Sequence, residues 1–496
     1  MRRKIPIFYS ALLLTGVNLL LRFAGTSFQV YISSRIGAAG VGLLQLVMSV
    51  GMLAMVTGMA GVRTTSMYLT AEEVGKKRPG SVTWVLSGCF GYSILCSGLV
   101  AAALYLLAPY IAHRWIGDSS TTAAIRLYAT FLPVSCLCGV MTGYFTAANR
   151  IGVLAAVEVI EQVFSMAITL LLLHFWAGTD PYKACQTIVL GGGLGGCITL
   201  CSLCLLRLRS RPTTDPRIPV RKRITQCAVP LAIADITKAS ISTTENLMVP
   251  KRLSLYHGNT APLAAFGMVS GMVFPVLMFP AAILFGLAEL LIPELARCAA
   301  AGSKGRIQYL VRRSLRTAMI YGLVLFVLIE HLALPLCLRL YGNEEAGRQL
   351  QWYGLLIPML YCDAITDAMT KGLGQQKACV RYNILTSSMD VVLLFVLLPR
   401  YGMVGYYISF FITHGINFTL SLRRLLQISQ VKLSLFRPIA AIGAGVLSLG
   451  VTQVISAPLL AACAGLVILG CLLFLLGVLR REDIRWIRGL VTGKHT

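Results

Sequence analysis

Long apolar runs separated by short polar connections recur along the whole chain. A run of about 20 apolar residues is enough to cross roughly 30 Å of hydrocarbon as a helix. Fourteen such segments can be marked, at 7–31, 40–68, 82–109, 120–146, 151–176, 184–207, 223–249, 261–290, 310–335, 347–370, 378–398, 402–422, 435–455 and 457–479. No connection is long enough to hold a separate soluble domain. The pattern predicts an all-α polytopic membrane protein of about fourteen transmembrane helices. The opening "MRRKIPIFYSALLL" has the basic start and apolar run of a secretory signal. Its apolar stretch is too long, contains Arg22 and lacks a small-residue cleavage site, so it reads as the first transmembrane segment.

Charge supports this segmentation. Only 13% of the 496 residues are charged, against about 25% in soluble domains. With the N-terminus placed inside, 31 of the 44 Lys and Arg fall in cytoplasmic segments, 8 in outer segments and 5 within helices. That is the positive-inside bias of a multi-pass protein. It predicts a cell-membrane location with both termini cytoplasmic. It also accounts for the net charge of +25 by topology and contact with anionic membrane lipids, with no nucleic-acid partner.

The longest basic connection, "RLRSRPTTDPRIPVRKR", lies between segments six and seven. It divides the chain into an N-terminal lobe (1–207, segments one to six), a basic cytoplasmic linker (208–222) and a C-terminal lobe (223–425, segments seven to twelve). Two extra helices (434–479) and a cytoplasmic tail (480–496) follow. The lobes are weakly alike. Tyr128 and Pro133 of segment four align with Tyr353 and Pro358 of segment ten at an offset of 225. "YLTAEEVGKK" aligns with "LARCAAAGSK" at an offset of 227. Two six-helix lobes related by a parallel repeat form a transporter architecture, with the substrate site between the halves.

Several chemistries are disfavoured. The 15 cysteines are scattered through apolar runs. Even the cluster Cys197, Cys201 and Cys204 lacks supporting histidines, so the expectation is packing rather than a metal site. "GGGLGG" at 191–196 satisfies a dinucleotide fingerprint, but it lies inside a membrane helix rather than after a strand. There it would let neighbouring helices approach. His113, His174, His257 and His331 lie mainly near helix ends, and no HExxH, GxSxG or Walker A pattern occurs. The reading is therefore not an enzyme, with no cofactor. Without an ATP-binding loop, transport would run on an ion gradient, the membrane potential or the substrate gradient.

The informative residues are charges in apolar surroundings. Arg22 lies near the middle of segment one, Arg35 at its outer end and Arg63 toward the end of segment two. A charge at bilayer depth costs about 2.5 to 17 kcal/mol. Segments one to three contain no acid to offset it; the first intramembrane acids are Glu158 and Glu161 in segment five. A cationic lobe suits an anionic ligand, because the arginine fork holds phosphate in a bidentate manner. The alternative is structural: pairing with an acid, or extension of the side chain to the interface. The C-terminal lobe differs. Segment seven carries Asp235, Lys238 and Glu245 and ends at Pro250, a candidate moving or broken helix. Asp235 and Lys238 are spaced to pair. Segment ten carries Asp363 and Asp367 with Lys371 a turn on, and segment eleven carries Asn383 and Asp390. Such a set can form a Na+ or H+ coupling site or a structural salt-bridge network.

"LLLRFAGTSFQVYISSRIGAAGVGLLQLVMSVGMLAM" resembles the opening of the stage V sporulation protein B group, through Arg22, Gly25, Arg35, Ile36, Gly37, Gly40 and Gly42. That group belongs to the multidrug/oligosaccharidyl-lipid/polysaccharide (MOP) flippase superfamily, which also holds lipid II and polysaccharide flippases. The resemblance implies a monomeric flippase for a lipid-linked oligosaccharide or peptidoglycan precursor, with a place in spore or cell-wall synthesis. It implies cavity-lining roles for Arg22 and Arg63, which match the first two of the family's arginines on helices one, two and eight. Segment eight here has no Arg. It also implies sodium binding through residues such as Asp235, Asn383 and Asp390. Two rivals remain: cation-coupled multidrug efflux, kept open by the C-lobe acids, and a membrane scaffold for a wall or spore assembly complex, which would use the basic loops.

Overall fold

The computed structural model describes residues 7–75, 81–148, 150–178, 180–208, 220–258, 261–431 and 436–479. The N-terminal basic residues, most of the 208–222 linker and the tail from 480 onward lie outside the described residues. Every regular element among the described residues is helical. The α-helices are α1 Ile7–Met59, α2 Val62–Gly75, α3 Ser81–Tyr110, α4 Thr122–Ala147, α5 Ile151–Leu172, α6 Pro181–Leu208, α7 Val220–Leu253 and α8 Pro262–Met268. There follow α9 Phe274–Met278, α10 Ala281–Ala300, α11 Lys304–Tyr341, α12 Glu344–Gly354, α13 Ile357–Gly372, α14 Gln376–Ser429, α15 Phe436–Thr452 and α16 Pro458–Leu475.

Among the described residues, eight helical stretches are long and apolar enough to cross a membrane. A ninth arises if Pro262–Met278 and Ala281–Ala288, bent by 62°, form one span. Two of these, Leu20–Val74 (55 residues) and Gln376–Ser429 (54 residues), are each about 80 Å long at 1.5 Å per residue. That length serves two crossings of ~30 Å. With α7, the α12–α13 pair and α15 added, the fourteen expected segments are all present. The protein is an all-α multi-pass membrane protein.

The joints differ from the expected ones. Segments one and two are not separated by a loop: α1 passes through a single-residue kink at Gly37 (φ 69, ψ 174), a backbone state open to glycine at no steric cost. Segment two is instead broken within its expected span, at Ala60 (φ 42) and Gly61 (φ 71). Segments eleven and twelve likewise merge into α14 through Gly402. Segment ten divides into α12 and α13 just before Pro358. His331 is not near a helix end, because α11 continues to Tyr341.

Two compact units emerge: Met1–Gly271 with Leu394–Gly402, and Met272–Leu393 with Met403–Thr496. The division follows Gly271 rather than the basic linker, so α7 packs with the helices that precede it. Specific bonds hold it there. Thr243 Oγ1 donates to Ser49 O (3.1 Å), Asn246 Nδ2 donates to Ser49 Oγ (2.9 Å), and Arg223 pairs with Glu72 and Glu73 (2.8 and 2.9 Å). The core of the first unit gathers Val62, Leu69, Val85, Val140, Phe145, Leu203 and Ile224. In the second, Leu323, Val327, Ala441 and Leu469 join α11 to α15 and α16. A buried ladder supports that junction: His331 bonds Thr452 Oγ1 (2.9 Å), Thr452 Oγ1 donates to Ser448 O (2.8 Å), and Ser448 Oγ donates to Gly465 O (2.6 Å).

Candidate functional sites

In the first unit the glycines of the opening motif set the geometry. A Cβ on Gly42 would stand 2.3 Å from the Leu263 carbonyl oxygen, and one on Gly267 would stand 2.0 Å from Ala38 O. The second half of α1 therefore crosses α8 backbone to backbone, and Ser33 Oγ donates to Gly271 O (3.1 Å) beside the crossing. Arg35, two residues before the kink, is exposed, with its guanidinium over the Tyr31 ring.

Arg63 owes its position to the unexpected break. As the second residue of α2 it sits at a helix N-terminus, where unpaired N–H groups and the helix dipole favour anions. Val62, Thr65, Ser66 and Leu69 are buried, and their helical spacing turns Arg63 to the surface. α4 lies so close that a Cβ on Gly143 would be 2.4 Å from Arg63 O, and Ser66 Oγ donates to Val140 O (2.9 Å). Arg63 is within electrostatic reach of half-buried Glu158 on α5. So the arginine missing an acid within its own segments has one within reach three helices on, in α5.

Arg22 is also exposed, between the exposed Leu20 and Phe23. One turn of α5 borders it: Gln162 Nε2 donates to Leu21 O (3.0 Å) and occupies the space opposite Gly25. Glu161, next to Gln162, accepts from Thr199 Oγ1 of α6 (2.7 Å). α5 thus presents Glu158, Glu161 and Gln162 toward α1, α2 and α6. Of the glycines at 191–196, Gly191 and Gly193 act in packing, as expected: a Cβ on Gly191 would meet Thr169 Oγ1, and one on Gly193 would run into the Phe131 ring.

Asp235 and Lys238 are exposed on α7 of the first unit. Among the described residues no ion pair joins them. Asp363, Asp367 and Asp390 belong to the second unit, where each has its own partner. Asp363 accepts twice from Asn417 Nδ2 of α14 (3.1 and 3.3 Å). The Asn417 Oδ1 atom is buried without a hydrogen-bond partner. Asp367 pairs with Lys371 (2.6 Å). Asp390 accepts from Ser409 Oγ (2.6 Å) and Thr413 Oγ1 (3.2 Å), and its charge reaches His414, whose ring packs on Phe410. Asn383, on the same helix, stands seven residues or ~10 Å from Asp390. The structure therefore joins Asp390 to hydroxyls of the second half of α14 rather than to Asn383. Sequence reasoning missed Ser409, Thr413, His414 and Asn417. Their i, i+4 spacing between 409, 413 and 417 was the available signal.

Chemically, the first unit offers exposed guanidiniums suited to phosphate. The second offers oxygen donors around carboxylates, a set suited to a hard cation or a proton. All fifteen cysteines are free thiols.

Comparisons with known proteins agree with this architecture. Residues 8–225 match the family described as polysaccharide biosynthesis protein. The chain is 20% identical over 413 residues to stage V sporulation protein B of Bacillus subtilis (strain 168), spanning 79% of this chain and 78% of that protein. The solved inward closed conformation of the lipid II flippase MurJ matches 93% of this chain and 98% of its own, with a TM-score of 0.67 at 12% identity. An inward-facing multidrug resistance MATE family transporter of the MOP superfamily matches 84% of this chain and 100% of its own, with a TM-score of 0.65 at 12% identity. The chain has the helical fold of that superfamily, and the resemblance read in residues 19–55 extends to most of its length.

Proposed function

We propose that the protein is a flippase that moves a polyprenyl-diphosphate-linked oligosaccharide or peptidoglycan precursor across the cytoplasmic membrane by alternating access. The observation that carries this reading is the exposed arginine pair of the first unit. Arg22 presents its fork from the surface of α1, and Arg63 does so from the positive end of α2. A diphosphate would receive charge-assisted, bidentate hydrogen bonds from both forks. The polyprenyl tail would remain in lipid while the polar headgroup crossed. The stage V sporulation protein B and lipid II flippase likenesses support the same substrate class.

The second unit would supply coupling. Asp390 with Ser409 and Thr413, and Asp363 with the orphan Asn417 oxygen, are the residues assigned to Na+ or H+. Both termini would be cytoplasmic and the working unit a monomer.

The test is headgroup flipping in proteoliposomes with fluorescent polyprenyl-diphosphate glycans. Wild type is expected to flip and Arg22→Ala and Arg63→Ala to fail while inserting normally. A fully active Arg22→Ala protein overturns the reading. The likeness to MATE transporters favours one rival, efflux of organic cations using the acids of the second unit. An inert flipping assay combined with gradient-driven uptake of an organic cation would establish that rival instead.

A further inference from the structure

The first unit contains a cavity of about 500 Å3 that uses neither Arg22 nor Arg63. Leu53 and Leu247 line its wall, and Ser240 and Thr244 place hydroxyl-bearing side chains along it. Trp115 forms an aromatic edge, and Lys251 and Arg252 belong to its lining at the end of α7. Ser240, Thr244, Leu247 and Lys251 recur at three- and four-residue intervals, so one face of α7 lines the cavity over ~17 Å. On the positive-inside reading its basic end is the outer one.

Three features at this end call for a ligand. The first is charge. Outer segments are poor in Lys and Arg, yet Lys251 Nζ donates to Arg114 O (2.5 Å), and the Arg114 cation stands close enough to oppose the Lys251 charge. Arg252 lies over the Phe395 ring. Among the described residues no carboxylate forms an ion pair with any of the three. The second is the backbone: Arg114 and Trp115 belong to a π-helical turn, Ile111–Ile116, closed by Gly117 at φ 87. Such turns are enriched at functional sites. The third is the mixture of surfaces. An indole edge and aliphatic walls suit the apolar face of a sugar ring, hydroxyls suit its rim, and the cations suit a phosphate.

We infer that this cavity is a second binding site, for a phosphorylated glycosyl group, at the outer end of α7. The inference rests on the flippase reading for its role, as the place where the headgroup is held before release. Its ligand chemistry stands on the cavity itself.

The experiment uses the full-length protein in nanodiscs and follows tryptophan fluorescence on titration with N-acetylglucosamine 1-phosphate. A saturable change is expected, lost in Trp115→Phe. Half-saturation should rise at least tenfold in Lys251→Gln/Arg252→Gln and stay unchanged in Arg348→Gln, which removes an exposed ion pair with Glu344 in the second unit. N-acetylglucosamine alone and inorganic phosphate should each bind at least tenfold more weakly. A water-soluble short-prenyl diphosphate sugar separates the sources: tighter binding marks the lipid-linked form, equal binding a free sugar phosphate. Absence of a Trp115-dependent signal, or equal affinity in wild type and Lys251→Gln/Arg252→Gln, overturns the inference. Circular dichroism and size-exclusion profiles matching wild type keep a negative result from being misread as misfolding. Wild-type flipping without this binding sinks the cavity site alone; binding without flipping sinks the transport reading alone.

Discussion

The two compact units place charge by opposite means. In the first, backbone contact does the positioning. α1 crosses α8 at Gly42 and Gly267, α4 meets the Arg63 carbonyl at Gly143, and the guanidiniums of Arg22, Arg35 and Arg63 are left on the surface. In the second, polar side chains hold the acids directly: Asn417 on Asp363, Lys371 on Asp367, Ser409 and Thr413 on Asp390. The contrast teaches what each set can bind. Exposed forks on a rigid backbone can receive a large, variable anion. Carboxylates wrapped in hydroxyl and amide groups fit a small bare cation or a proton.

The largest effect should come from the first unit. Removing the Arg22 fork by Arg22→Ala should cost about 3 kcal/mol of charge-assisted binding, or about 100-fold in flipping rate at low substrate. The measurement is initial flipping rate against substrate density. A loss that vanishes at saturating substrate marks ground-state binding, and a loss that persists marks the crossing step. Equal loss in Asp363→Asn would erase the contrast between the units.

Next in size is the crossing that positions the arginines. A Cβ at Gly42 meets a backbone oxygen rather than a yielding side-chain end. Gly42→Ala should therefore destabilise by about 1–3 kcal/mol through overpacking, read as a lower melting temperature of the detergent-purified protein. Gly443, with nothing within 4 Å of its would-be Cβ, is the matched control. The third effect belongs to the second unit. Asp390→Asn should leave binding of the anion intact and reduce ion dependence of transport about tenfold, the scale of a modest coupling energy. Unchanged ion dependence would assign Asp390, Ser409 and Thr413 to structure.

Much of this is legible in the residues themselves. Charge inside apolar runs is costly, so Arg22, Arg63, Asp363 and Asp390 stand out from the chain's hydropathy pattern, and the fourteen segments follow from length alone. What stays hidden carries little hydropathic signal. Ser409, Thr413 and Asn417 are polar but uncharged, and their meaning depends on which helix faces them. The kink at Gly37 falls in the expected connection 32–39, whereas the break at Ala60–Gly61 occupies two residues in a long apolar stretch, too few to register as a loop. The second of them nevertheless makes Arg63 a helix-start residue. The bend between α9 and α10 and the inclusion of α7 in the first unit are tertiary facts, fixed by contacts such as Asn246 with Ser49.

The smallest effect separates two pairs that look alike in sequence. Asp235 and Lys238 lie three residues apart on α7, Asp367 and Lys371 four apart on α13, and either spacing permits a bridge. Only the second forms one, at 2.6 Å. Its side chains are 24% and 39% exposed, so solvent screening holds its worth to roughly 0.5–1 kcal/mol. A double-mutant cycle on unfolding, Asp367→Asn with Lys371→Gln, should return a coupling of that size. The same cycle on Asp235→Asn with Lys238→Gln should return a value near zero, within about 0.3 kcal/mol. The α7 pair then remains available to something other than itself, and transport assays on those variants report on that use without interference from lost stability. A coupling at 235–238 as large as that at 367–371 would make both pairs structural and leave the second unit alone as the place where a cation is held.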